Sequence, residues 1–62
     1  MNSIVKQQIA FLQQAVLDLQ KTKENIQQAI GASDLGKRYL KEASELIAEL
    51  EDDIINLQLS AE

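Results

Sequence analysis

Ile30-Gly31-Ala32-Ser33-Asp34-Leu35-Gly36 decides the fold of this chain. On its N-terminal side runs an apolar repeat, Val5, Ile9, Leu12, Val16, Leu19, Lys23, Ile26 and Ile30, with steps alternating four and three. On its C-terminal side runs a second one, Leu40, Ala43, Ile47, Leu50, Ile54, Leu57 and Ala61. Such steps average about 3.5 residues, the mark of helices packed along a seam. The two repeats are out of frame. With Ile9, Val16, Lys23 and Ile30 as heptad a positions, extending the first repeat puts the next at Lys37 and Ser44, whereas the apolar residues fall at Leu40 and Ile47. The frame slips between Ile30 and Leu40, and the quoted segment occupies that gap.

Its residues read as a stop followed by a start. Gly31 suits the left-handed C-cap that ends a helix. Ser33 suits the N-cap of the next, with Asp34 at the positive end of that helix's dipole. The spacing therefore predicts helices over about 3–30 and 34–59 with a turn at 31–33, all within one domain, 1–62. A continuous helix with a stammer is the alternative. Gly36, just inside the second helix, costs about 1 kcal/mol relative to Ala unless packing at the turn requires it.

So short a turn makes the helices antiparallel neighbours. Facing residues then have numbers summing to about 66, which sets Lys23 opposite Ala43. The small methyl leaves room for the lysine stem to cross the seam and deliver its ammonium to water.

The composition explains why a hairpin should not be sufficient alone. The chain has 62 residues, no Cys, no His and no Pro, and Phe11 and Tyr39 are its only aromatic residues. Below roughly 70–80 residues a lone core seldom supplies more than about 3–5 kcal/mol. Disulfides and thiolate metal sites are excluded, and association takes their place. Two leftover apolar stripes suit that role: Ile4, Phe11 and Ala15 on the first helix, and Leu35, Tyr39 and Leu46 on the second. The plainer interpretation is a widened interface within the hairpin. The stripes lie at opposite ends of it, however, and cannot cover each other within one molecule. A two-fold dimer with its turns at opposite ends brings them together and repeats the contact by symmetry. The expected fold is all-α: an antiparallel helical hairpin dimerising into a four-helix bundle.

Chemistry is poorly provided for. Five Ser and Thr hydroxyls are present without a histidine to activate them, and a two-helix rod offers no evident pocket for a base and an oxyanion site. An enzyme is not expected, and no cofactor or metal is called for. No stretch approaches about 18 consecutive apolar residues, and the N-terminus lacks a signal-peptide pattern. Together with the absence of Cys, this points to the cytoplasm, with no membrane partner.

Charge is unevenly spread. The chain carries a net −4. From Glu42 onward there are seven carboxylates and neither Lys nor Arg. Glu42 and Glu45 come level with Lys21 and Lys23. Glu49, Asp52 and Asp53 come level with Gln13, Gln14 and Leu17, which offer no cation. That acidic patch reads most simply as a solvated face that keeps a small protein soluble. It would also suit a basic protein partner, or a divalent cation held by carboxylates at i, i+3 and i, i+4. Seven glutamines give the first helix an uncharged polar back.

Two hairpins of this length laid with their turns at opposite ends resemble the Rop family of plasmid copy-number regulators. The resemblance is one of layout, with no aligned motif, and it implies RNA binding. The only basic cluster, Lys37, Arg38 and Lys41, would be sent to opposite ends of such a dimer, and the net charge opposes phosphate contact. Nucleic acid is thus the least favoured partner. The leading expectation is a self-associating interaction module acting as adaptor, assembly factor or regulator. The second is a small acidic inhibitor or chaperone of a basic protein, nucleic-acid-binding proteins included, of the kind phages often encode.

Overall fold

The computed structural model describes residues 3–60. Ala61, the last seam position, and Glu62 lie outside them. Two helices, α1 (Ser3–Ile30) and α2 (Asp34–Ser60), pack against each other as a hairpin measuring 45 × 14 × 9 Å between Cα extremes. The seam is the one marked by the repeats. Ile9, Ile47 and Ile54 are buried, and Val5, Leu12, Val16, Leu19, Ile26, Leu40, Leu50 and Leu57 are half-buried. Lys23 and Ala43 are half-buried too, as their places in the seam require. Ile30 falls away from the seam at 38% exposure, where the chain leaves α1 to turn.

The turn is held by Ser33. Its Oγ accepts a hydrogen bond from Gly36 N at 3.0 Å, the N-cap bond to the third residue of α2. The same hydroxyl donates to the Ile30 carbonyl at 2.7 Å, and Ser33 N donates to that carbonyl at 3.0 Å. Ser33 O then accepts from Lys37 N at 3.0 Å, the first helical bond of α2. One residue thus satisfies a C-terminal carbonyl of α1 and an N-terminal amide of α2, groups that helix ends otherwise leave open.

This arrangement corrects the expected left-handed cap at Gly31. No described glycine has a positive φ. Gly31 N continues the α1 ladder to Gln27 O at 3.1 Å. A left-handed cap would fold the following amides onto carbonyls one turn back; here Ser33 N and Ser33 Oγ both donate to the Ile30 carbonyl. Glycine is needed here for close approach: a Cβ on Gly31 would overlap the Gln27 carbonyl oxygen.

Gly36 has the same explanation in stronger form. It is the one buried residue of the turn region among those described. A Cβ built on it would overlap the carbonyl oxygen and carbon of Ile30 and lie 3.2 Å from Gly31 N. These are backbone atoms and cannot swing aside. The first turn of α2 passes directly against the last carbonyl of α1, and only glycine permits it.

Candidate interaction surfaces

Helical spacing sets two flanks on the hairpin, one on each side of the seam, and the structure lines each with a groove. The first groove, of about 590 Å³, is lined by Gln8, Phe11 and Leu12 from α1 and Asp53, Asn56, Leu57 and Ser60 from α2. Phe11 stands 71% exposed at its edge. Ile4 lies one heptad before Phe11 on the same column. Leu46 and Tyr39 lie one and two heptads before Asp53 on theirs. The six stripe residues therefore share one flank, with Ile4, Phe11 and Ala15 toward the open end and Leu35, Tyr39 and Leu46 toward the turn. Ile4, Phe11, Leu35, Tyr39 and Leu46 are all exposed, and Ala15 is half-buried.

The second groove, of about 520 Å³, lies across the seam from the first. Gln13, Val16, Leu17 and Gln20 of α1 line it with Glu51, Ile54 and Ile55 of α2. Leu17 and Ile55 are 58% and 52% exposed. Sequence patterning passed over this pair, because each directly follows a seam residue, Val16 or Ile54, and has only an alanine one heptad before it. The signal was present once the helices were set antiparallel: Ala10 and Leu17 on α1 and Ala48 and Ile55 on α2, each pair seven apart, fall on the flank opposite Phe11. A smaller groove of about 310 Å³ near the turn is lined by Lys23, Glu24, Gln27, Gln28 and Leu40.

The acidic residues are distributed around α2. Asp53 enters the Phe11 groove and Glu51 the Leu17 groove. Glu49, four residues before Asp53, shares its side of the helix, and Asp52 is turned to the back. All four are exposed. Among the described residues, no group of three or more carboxylates is placed to hold a metal ion.

Polar side chains mostly serve their own helices. Ser44 Oγ donates to Leu40 O at 2.9 Å, Thr22 Oγ1 to Asp18 O at 2.9 Å, and Ser60 Oγ to Asn56 O at 2.9 Å. Gln14 Nε2 donates to Asp18 Oδ1 at 3.0 Å. The Ser44 hydroxyl is thus committed to its own backbone. Arg38, which spacing would pair with Glu42, carries its guanidinium carbon 5.6 Å from the Tyr39 ring centroid. That is cation–π range, and it ties a cation to the edge of the apolar flank.

No helix among the described residues is long and apolar enough to cross a membrane. Compared with protein-family models, with curated proteins and with solved structures, the chain matches none.

Proposed function

We propose that this protein is a non-enzymatic interaction module: a hairpin that pairs with a second copy of itself through the Phe11 flank and acts as an adaptor, assembly factor or regulator. The supporting observation is surplus exposed surface with large apolar side chains in it. A compact monomer of this mass exposes about 4,000 Å², whereas the chain exposes 4683 Å². The excess approaches the roughly 800 Å² per partner of a standard interface. Among the described residues, three apolar side chains are buried while nine large ones are exposed, five of them on the Phe11 flank.

A two-fold axis across the rod, at mid-length, sets residue i of α1 level with about residue i + 33 of the partner's α2. Ile4 then comes level with the second copy's Leu35–Tyr39 turn, and Phe11 with the turn that carries Leu46. The turns point to opposite ends and the product is a four-helix bundle. Sedimentation equilibrium tests the proposal. Wild type should sediment as a dimer, and Phe11→Glu and Tyr39→Glu as monomers. A stable, fully helical wild-type monomer at high micromolar concentration would overturn it.

Glu49 and Asp53, exposed on one side of α2, favour a second reading, an acidic module that captures a basic protein. Such a complex would weaken steeply with salt. The apolar dimer would not.

A further inference from the structure

We infer that the Leu17 groove is a docking site for a different partner: an amphipathic helix with an apolar stripe bordered by Lys or Arg. The Leu17 groove is separate from the Phe11 flank, and its occupancy does not require the hairpin to pair with itself. Val16, Leu17, Ile54 and Ile55 supply a floor and two exposed aliphatic walls, and Gln13 and Gln20 supply an uncharged polar rim. The groove lies open along the rod, so it suits an elongated side-chain stripe more than an enclosed small molecule.

Charge decides between occupants. Glu51 is the one charged side chain among the described residues lining the groove. An apolar partner laid over it would strip water from a carboxylate and give nothing back. A second copy of this chain does no better. With a two-fold across the rod over the groove's middle, the two Glu51 side chains come within about one helical turn of each other. With a two-fold along the rod, Glu51 meets Gln13 and Gln20 of the copy. Neither arrangement supplies a cation. A helix that places Leu or Ile between Leu17 and Ile55 and a Lys or Arg beside Glu51 satisfies both halves of the groove. The Phe11 flank also carries a carboxylate, Asp53, but sets five exposed large apolar side chains beside it where the Leu17 groove has two; that balance leaves the Phe11 flank for self-association.

The test uses the full chain and two synthetic 16-residue helical peptides with identical leucine spacing, one flanked by Lys and the other by Glu. Binding is read by fluorescence anisotropy and free-protein mass by sedimentation. The Lys peptide should bind about tenfold more tightly than the Glu peptide. Glu51→Lys should reverse that preference, and Leu17→Glu should abolish binding of both. Phe11→Glu should leave peptide binding in place while altering mass. Both Leu17 and Glu51 are exposed, so these variants should retain wild-type helicity by circular dichroism. Failure of the wild type to bind the Lys peptide, equal affinity for both peptides, or loss of binding in Phe11→Glu would each overturn the inference. So would a change in free-protein mass on Leu17→Glu, which would assign the groove to a second copy. Because mass and peptide binding are read separately, failure of self-association leaves this result interpretable.

Discussion

Gly36 packs its bare Cα against the carbonyl of Ile30, and a methyl group there would overlap that carbonyl. The sign of a substitution follows from this contact. At an open helical site, Gly→Ala stabilises by about 1 kcal/mol. Here Gly36→Ala forces backbone apart and should cost about 1–3 kcal/mol, the usual range for overpacking. Urea denaturation reads the result, and a gain in stability would show that the helices can separate at the turn without loss.

Ser33 should be the most sensitive exposed residue of the turn. Ser33→Ala removes the acceptor for Gly36 N and one of two donors to Ile30 O, and should cost about 1 kcal/mol. Ser33→Thr keeps the hydroxyl and should retain most of the wild-type stability. Thermal midpoints of the three proteins should rank wild type, Thr, Ala.

Lys23 should lower stability in exchange for register. A lone lysine at an a position specifies alignment at a cost. Lys23→Leu should raise stability by about 1 kcal/mol, or about 4–8 °C in thermal midpoint for a chain of this size. The gain should be accompanied by added oligomeric species in sedimentation, because the side chain that disfavours other registers is gone.

Core and flank should separate cleanly. Ile47→Ala empties a buried site and should cost about 2–4 kcal/mol at any protein concentration. Phe11→Ala removes a side chain that is 71% exposed in the hairpin. It should leave the hairpin's stability in dilute solution unchanged and abolish the rise of thermal midpoint with protein concentration that a dimer shows.

The hairpin was legible because two strong signals coincide. Steps of three and four mark the seam, and the frame slip at Gly31–Ser33 marks where the chain reverses. Ser33 was readable as a cap because its chemistry is local. The role of Gly36 was not, since the Ile30 carbonyl it packs against is brought there only by the reversal. The Gly31 cap was misread for a related reason: glycine after a helix commonly signals left-handed backbone, but here it has no positive φ and serves close approach to the Gln27 carbonyl. The acidic patch looked continuous in sequence and is divided in space, because adjacent residues on a helix point about 100° apart. The Leu17 groove emerges only when the leftovers of both helices are superposed.

A rod 9 Å across at its Cα atoms brings parts of its seam to the floor of the flanking grooves. Leu12 and Leu57 hold the helices together and also floor the groove beside Phe11; Val16 and Ile54 do the same beside Leu17. Changing the size of any of these four reshapes a groove as well as the seam of the hairpin. On the proposed function, drift in this sequence is constrained twice at the same positions, and compensating changes should appear in the molecule that rests on the affected groove.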